Sequence, residues 1–295
     1  MIRGAREITL EVMPQITVAH SPDSDDAFMH YALAEHKIDA GDIEFRHVLR
    51  DIESLNHAAN EGIYEVTALS IHAYALLSDK YALLNHGASM GEAGPNGYGP
   101  RLIAREKLSI DEVKTQKVAI PGVLTSSYLA LKLWAPQIET VEMPFDQILP
   151  AVARGEVAAG LLIHEGQLTY GDAGLHLIAD LGVWWGEQTG GLPLPLGGNA
   201  IRRDLDLELQ QKVSHLLRES IKYSLSHREE ALDYAMQFAR GMEDDRARVD
   251  AFVGMYVNAR TLDYGEDGRR SVKLFLDKGF EAGVLKTRAD VEFVG

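Results

Sequence analysis

The chain has 295 residues, 46% hydrophobic and 25% charged, a composition typical of globular proteins and a length that suggests about two domains. It carries 29 Lys and Arg against 44 Asp and Glu, a formal net charge of −15, so it lacks the basic surface that a nucleic-acid partner requires. It has no cysteine, which excludes disulfides, thiolate metal sites and cysteine nucleophiles.

The N-terminal segment predicts neither export nor membrane insertion. In MIRGAREITLEVMPQ the apolar residues are interrupted by Glu7 and Glu11, so the segment lacks the apolar stretch of about 7–15 residues found in signal peptides. No run of about 18 apolar residues occurs anywhere in the chain, which predicts that no helix spans a membrane. We therefore expect a cytoplasmic protein without a membrane partner.

Strand and helix signals then alternate along the chain. Residues 15–20 (QITVAH) predict a strand, and a helix follows with Ser24 as a candidate N-cap and Asp25 and Asp26 in its first turn. The same order recurs in EVTALS before IHAYALLSDK, in KVAIPG before VLTSSYLALKLW and in VAAGLLI before HEGQLTYGDA. Apolar strands that alternate with helices favour parallel sheets buried on both faces. After Asp204 the apolar residues follow helical spacing.

Two segments rich in glycine and proline interrupt this alternation, at residues 88–100 (ASMGEAGPNGYGP) and 189–199 (TGGLPLPLGGN). We interpret them as two crossovers between domains. They predict a discontinuous α/β domain of residues 1–99 plus 199–295, which includes the C-terminal helices, and an inserted α/β domain of residues 100–198. A cleft would then lie between the two domains.

Polar residues stand where several predicted strands end. His164 follows VAAGLLI, Ser70 ends EVTALS, and Thr125, Ser126 and Ser127 follow KVAIPG. In open α/β sheets, ligands bind beyond the carboxyl ends of the strands, where helix N-termini offer free N–H groups. We expect these side chains to face a single interdomain cleft.

Each of these residues also has a purely structural interpretation. His164 by itself is equally compatible with a core or capping histidine. Ser70, Thr125 and Ser126 are of the residue types that cap helices. Position at a strand end favours a binding or catalytic role without establishing it.

Neither a metal nor a cofactor is predicted. SPDSDD holds three carboxylates, but it lacks the glycine and the distal glutamate of an EF-hand loop, so capping and helix-dipole compensation explain it better. His30 and His36, with His20 nearby, lack the i,i+4 spacing of metal ligands on one helix face, and we interpret them as surface residues. GxGxxG, P-loop and GxSxG motifs are absent, so nucleotide cofactors and acyl-enzyme chemistry have no support.

Seven segments together resemble one known family. In chain order they are SPDSDDAF, VLRDIESLNHAANEG, TALSIHAYALLSDKYALL, VAIPGVLTSSYLALKLWA, FDQILPAVARGEVAAGLLIHEGQLTY, DLGVWWGEQTGGLPLPLG and YVNARTLDYGEDG. They are similar to the MqnD family, the 1,4-dihydroxy-6-naphthoate synthases of the futalosine route to menaquinone, over nearly the whole chain and in the same order. The resemblance implies a two-domain periplasmic-binding-protein-like fold of type II with an interdomain cleft.

The resemblance also implies an activity and a site. The family's members are cofactor-free carbon–carbon lyases that convert cyclic dehypoxanthinylfutalosine, a small aromatic carboxylate, into 1,4-dihydroxy-6-naphthoate. The histidine of the family's IHE motif matches His164 and is the proton-abstracting base, and Glu165 is a candidate for orienting its imidazole. The family's substrate contacts match Ala68, Leu69, Ser70, Thr125, Ser126 and Ser127, and Asn56 matches a polar position in its cleft. The alternative is a solute-binding or ligand-sensing protein of the same fold without catalysis.

The chain departs from the family pattern at one motif. The family usually shows Pro, Asn and Asp where this chain has Ser24, Asp25 and Asp26. An amide that donates hydrogen bonds is thus replaced by a carboxylate that, when ionised, only accepts them. No substrate contact is assigned to Asp25 on the strength of the resemblance.

Overall fold

Two separate sheets organise the computed structural model, which describes residues 14–295. The export prediction rests mainly on residues 1–13, which lie outside this range. The strands are β1 Gln15–His20, β2 Glu44–Leu49, β3 Val66–Ser70, β4 Tyr81–Leu84, β5 Ser89–Gly91, β6 Arg101–Ala104, β7 Lys117–Ile120, β8 Glu139–Glu142, β9 Ala159–Leu162, β10 His176–Asp180, β11 Leu194–Arg202 and β12 Phe293–Val294.

Helices cover both sheets. They are α1 Ser24–Ala34, α2 Ile52–Asn60, α3 Ile71–Leu77, α4 Ile110–Val113, α5 Ser126–Trp134, α6 Phe145–Arg154, α7 Gly166–Thr169, α8 Leu181–Thr189, α9 Leu207–Ser226, α10 Arg228–Ala235, α11 Arg246–Tyr256, α12 Ala259–Leu262 and α13 Gly265–Glu281, with 3₁₀ turns at Tyr170–Ala173 and Met236–Phe238. Among the helices of residues 14–295, none is both long enough and apolar enough to cross a bilayer.

The first sheet has the strand order β12-β4-β11-β3-β1-β2, with β5 paired to β11. In it β1 runs parallel to β2 and β3, whereas β11 runs antiparallel to β3, β4 and β5. The second sheet has the order β10-β6-β9-β7-β8. There β7 runs parallel to β8 and β9, and β6 runs antiparallel to β9 and β10.

The expectation of parallel sheets is therefore only partly right, because both sheets are mixed. The apolar runs that suggested parallel strands report burial on both faces, and a central antiparallel strand such as β11 is buried in the same way. Strand direction depends on how the chain returns to the sheet, which composition does not encode. The parallel pairs are nevertheless the ones that matter for the cleft, because β1 and β3 end at one edge and β7 and β9 at another.

The chain crosses between the sheets twice. The first sheet takes its strands from residues 15–91 and 194–294, and the second from residues 101–180. We propose the two domains predicted above, residues 1–99 plus 199–295 and residues 100–198, on this division of strands, although the second boundary falls within β11. The glycine- and proline-rich segments also hold regular structure, since β5 and the start of β11 lie within them.

Several hydrophobic cores hold the helices on the sheets. α1 packs Phe28 and Met29 against Ile221 of α9 and Phe252 of α11, and this fixes the N-terminus of α1 at the end of β1. The helical spacing predicted after Asp204 is present in α9, where Val213, Leu216, Leu217 and Ile221 are buried. Leu207, which fitted the same spacing, is 65% exposed because it is the first residue of the helix.

Candidate functional site

A cavity of about 110 Å³ lies where strand ends of the two sheets face each other. Seven of the eight residues that the sequence suggested line it, namely Ala68, Leu69, Ser70, Thr125, Ser126, Ser127 and His164. The eighth, Asn56, is 1% exposed and lies behind Ser70. The two sheets thus contribute polar groups to one cavity.

His164 stands two residues beyond the end of β9 in an unusual backbone conformation. Its φ is +55°, and among residues 14–295 only one other non-glycine residue, His36, has a positive φ. Such strain is uncommon outside glycine and concentrates at functional sites. The imidazole side chain is 16% exposed, and its ring meets the ring of Phe145 edge-on at 4.8 Å between centroids.

The partner of His164 comes from the other sheet. Nδ1 of His164 lies 2.8 Å from Oδ2 of Asp23, in the turn after β1. An Nδ1–H that donates to a carboxylate leaves Nε2 with its lone pair, which is the tautomer a base requires. Glu165, the candidate from the sequence, accepts instead from Oγ of Ser24 at 3.3 Å. Adjacency in sequence was misleading here because the backbone at His164 turns the two side chains to different partners.

Asp23 also stabilises the start of α1. Its Oδ1 accepts from the backbone N–H of Asp26 at 3.4 Å, so Asp23 is the N-cap of α1. The expectation that Ser24 caps this helix is wrong, since Ser24 is the first helical residue and its hydroxyl turns towards Glu165. Asp25 and Asp26 lie in the first turn, as predicted.

The acidic groups around His164 differ in their ionisation. Burial raises the pKa of Asp25 and of Asp26 well above the usual range, and the neighbouring Asp23 raises both further. Burial also raises the pKa of Glu165. Burial acts in the same direction on Asp23, but the charge and the hydrogen bond of His164 outweigh it and lower the pKa. Asp23 is therefore the member of the group that ionises most readily.

The pKa of His164 responds to the same pair. Burial lowers it, but the charge and hydrogen bond of Asp23, with smaller contributions from Glu165 and Asp26, raise it above its ordinary value. A histidine with a raised pKa is a stronger base than a free imidazole. The arrangement can therefore accept a proton from a ligand in the cavity.

The three aspartates are also the one group in residues 14–295 whose geometry approaches that of a cation site, with carboxyl oxygens within 4.8 Å of one another. Three of their six carboxyl oxygens are engaged, since Asp23 holds His164 and the N–H of Asp26, and Asp26 accepts from the N–H of Ser21 at 2.7 Å. Ca²⁺ and Mg²⁺ require about six or more oxygen ligands. We assign no metal here, and the absence of a metal stays a prediction.

Four hydroxyl side chains line another part of the cavity, which we call the hydroxyl wall: Ser70, Thr125, Ser126 and Ser127. Ser70 and Asn56 exchange two hydrogen bonds, from the Ser70 N–H to Oδ1 at 3.0 Å and from Nδ2 to the Ser70 Oγ at 3.1 Å. Asn56 therefore orients Ser70 and does not itself face the cavity. Ser126 Oγ accepts from the N–H of His72 at 3.1 Å and donates to the carbonyl of Leu196.

Thr125 is the N-cap of α5, and its Oγ1 accepts from the N–H of Tyr128 at 3.2 Å. It also pairs with Ser127 Oγ at 2.9 Å. The capping interpretation and the position on the cavity wall thus hold together for Thr125. In this structure the hydroxyl of Thr125 caps α5 and pairs with Ser127, and both residues line the cavity.

The cavity lining also holds residues that the sequence analysis did not assign to the site, among them Asp23, Gln167 and Tyr256. Tyr256 hydrogen bonds with the side-chain amide of Gln167 at 2.7 Å, which joins α11 to α7 across the cleft. Asp23 was present in SPDSDD, but it was interpreted as part of a capping segment. No local pattern links it to a histidine 141 residues further along the chain.

Comparison with known proteins identifies relatives over most of the chain. Residues 16–281 match the family described as "Menaquinone biosynthesis". A 1,4-dihydroxy-6-naphthoate synthase of Thermus thermophilus is 42% identical over 90% of this chain and 94% of its own length. The crystal structure of a protein from Archaeoglobus fulgidus has a TM-score of 0.86 and 47% identity, covering 92% of this chain and 98% of that one.

More distant structures show the fold alone. A Candida albicans protein described as having the generic periplasmic-binding-protein fold matches with a TM-score of 0.63 and 13% identity, covering 96% of this chain and 99% of its own. The expected periplasmic-binding-protein-like fold is thereby confirmed. At this identity the likeness carries no information on ligand or activity.

Proposed function

Because the chain belongs to the menaquinone biosynthesis family, we propose that it is a 1,4-dihydroxy-6-naphthoate synthase that converts cyclic dehypoxanthinylfutalosine into 1,4-dihydroxy-6-naphthoate. In this proposal it is a cofactor-independent carbon–carbon lyase of the cytoplasm. Its substrate is a small aromatic carboxylate, and neither nucleic acid nor membrane takes part. The pair of His164 and Asp23 at the cavity is the observation that carries the proposal.

The reaction needs a base because a proton leaves the substrate as its ring system fragments and the sugar-derived part departs. Nε2 of His164 takes that proton, and Asp23 stabilises the imidazolium that results. General-base catalysis of this kind contributes about 10²–10⁴ in rate. The side chains of His164 and Asp23 are only 16% and 6% exposed, and this burial strengthens the electrostatic interaction between them.

The hydroxyl wall holds the substrate in this proposal. Ser70 and Ser127 present hydroxyl groups that can donate to the substrate's carboxylate, and Ser126, whose proton goes to the carbonyl of Leu196, can accept from a sugar hydroxyl. Ala68 and Leu69 supply the wall of β3 beside them, and Thr125 fixes the start of α5. Such an arrangement of a few polar groups on an otherwise apolar wall is typical of small-molecule sites.

The alternative is a binding or sensing protein of the same fold without turnover. One experiment separates the two. The purified protein, dialysed against a chelator, is incubated with cyclic dehypoxanthinylfutalosine while the absorbance of the naphthoate product is followed. We expect product to form at an unchanged rate after dialysis. Saturable binding without product would contradict the enzymatic proposal and support the alternative.

A further inference from the structure

The structure assigns Asp23 the role of a positioning residue that spans the cleft. Its carboxylate, which follows a strand of the first sheet, holds the imidazole of His164, which follows a strand of the second, so the base has its partner only while the cleft is closed. This inference rests on the proposed function, because it concerns how the proposed base becomes competent.

The geometry singles out Asp23 among the carboxyl groups near His164. Its Oδ2 is 2.8 Å from Nδ1, whereas Glu165 is held by Ser24 and Asp26 by the N–H of Ser21. Asp23 is 4% exposed, and its second oxygen is fixed by capping α1. A carboxylate restrained at both oxygens fixes the plane and the tautomer of the imidazole that it holds.

The charged groups around His164 come from several elements. Asp23, Asp25 and Asp26 lie at the start of α1, and Glu165 follows His164 directly. On the α6 side Phe145 packs against the imidazole, and the guanidinium of Arg240 lies 5.1 Å from the centroid of the Phe145 ring. Asp23 is the one of these carboxylates in direct contact with the imidazole, so its removal should change the titration of His164 most.

Other contacts close the same cleft. Oε1 of Glu53 in α2 accepts from the N–H of Leu124 at 3.2 Å, and Arg248 of α11 pairs with Asp172. A substrate with fused rings and a sugar-derived part must therefore enter while the cleft is open. Opening separates Asp23 from His164, and closure restores the pair around the substrate.

Asp23→Asn tests this role, because asparagine still caps the helix but carries no charge. We expect kcat to fall about 10²-fold or more, with a smaller change in KM. Asp23 raises the pKa of His164 in the native protein, and the base works in its neutral form. Loss of the charge should therefore move the acid limb of the pH–rate profile to lower pH.

Asp51→Asn is the matched control. Asp51 caps α2 as Asp23 caps α1, with Oδ1 accepting from the N–H of Ser54 at 3.0 Å, but it does not line the cavity. The same chemical change at Asp51 should leave kcat and the acid limb of the pH–rate profile unchanged. If Asp23→Asn does not fold, Asp23→Ser, which also retains a capping oxygen, replaces it.

A readout that needs no turnover separates this inference from the proposed function. The imidazole resonance of His164, assigned by its absence in His164→Gln, should titrate at lower pH in Asp23→Asn than in the native protein. An unchanged titration together with an unmoved acid limb would overturn the positioning role and leave the proposed activity intact. A shifted titration in a protein without turnover would retain the pair and reject the activity.

The dependence on closure is tested by distance measurement. The chain has no cysteine, so Leu49→Cys at the end of β2 and Val123→Cys after β7 can be spin-labelled without background. Both positions are exposed, by 43% and 40%. We expect 2-naphthoic acid to favour the shorter distances in the native protein, and Asp23→Asn to weaken that preference. A single distance, unaffected by ligand and by the substitution, would contradict a pair formed by closure.

Discussion

Two histidine sites lie close to α1 and behave in opposite ways, namely His164 and a cluster of His20, His30 and His47. At the cleft, His164 meets Asp23 and has a raised pKa. In the cluster, the rings of His20 of β1, His30 of α1 and His47 of β2 pack together with centroids 4.4 to 5.8 Å apart. Burial lowers the pKa of His20 to about 3 and of His47 to about 4, and that of His30 well below the ordinary value.

The difference shows that the partner of a histidine, and not its burial, decides whether its pKa is raised or lowered. Desolvation lowers the pKa in both places, but at His164 a carboxylate reverses the effect. In the cluster the neighbouring histidines oppose protonation further, and Asp23, which also acts on His20, raises its pKa by less than burial lowers it. His20 Nε2 lies 3.2 Å from His47 Nδ1, and neither ring nitrogen of His30 has a partner among residues 14–295. One site is built to gain a proton, and the other to stay neutral.

The largest effect on kcat should come from removing His164, the proposed base. His164→Ala should lower kcat by about 10²–10⁴ while the protein stays folded, because a general base contributes that much. His36→Ala is the matched control, since His36 is exposed and is the other non-glycine residue with positive φ in residues 14–295. Steady-state kinetics and thermal unfolding check both variants. Near-normal kcat in folded His164→Ala would reject His164 as the base.

The neutral cluster should appear in the pH dependence of stability. Because the folded-state pKa values are depressed, its stabilisation is fully present above about pH 6.5 and is lost as the pH falls towards about 4. Each histidine should contribute about 1.4 kcal/mol per pH unit in that window.

His30→Leu removes one such group and should flatten the dependence measured by urea unfolding at pH 7.5 and pH 5. The exposed His215→Leu serves as control and should retain the native slope. Equal slopes in all three proteins would show that the cluster does not govern acid stability.

A smaller effect, on KM, is expected from substitutions in the hydroxyl wall of the cavity. Ser126→Ala should raise KM about 2–10-fold, the equivalent of one hydrogen bond of about 0.5–1.5 kcal/mol, without moving the acid limb of the pH profile. Ser109→Ala removes the capping hydroxyl of α4, which does not line the cavity, and should lower stability by about 0.5–2 kcal/mol at unchanged KM. A Ser126→Ala protein that loses stability alone would restrict Ser126 to a structural role.

The sequence could predict the strand-end positions and little of what they contact. The apolar run before His164 located it at the end of a buried strand, and resemblance supplied the family that the comparisons confirm. The role of Asp23 was not predicted because its contact with His164 depends on how the two sheets face each other, and not on the sequence of either local segment.

The histidine cluster was interpreted wrongly at two of its members. His20 and His30 were expected at the surface, yet they are 4% and 1% exposed, whereas His36 is exposed as predicted. The spacing of His30 along α1 was uninformative because that helix is covered on several sides, by α9, α10, α11 and β2, and so lacks a clear polar face. The expected surface histidines are thus part of the interior.

Histidine titration by nuclear magnetic resonance in the native protein tests the comparison most directly. His164 is assigned with His164→Gln, and His20, His30 and His47 by single substitutions. The account predicts that His164 titrates above pH 6.5, while the three cluster histidines stay neutral until the pH falls well below 6.5. A His164 that titrates together with the cluster, or below it, would contradict the claim that Asp23 sets the protonation of the proposed base.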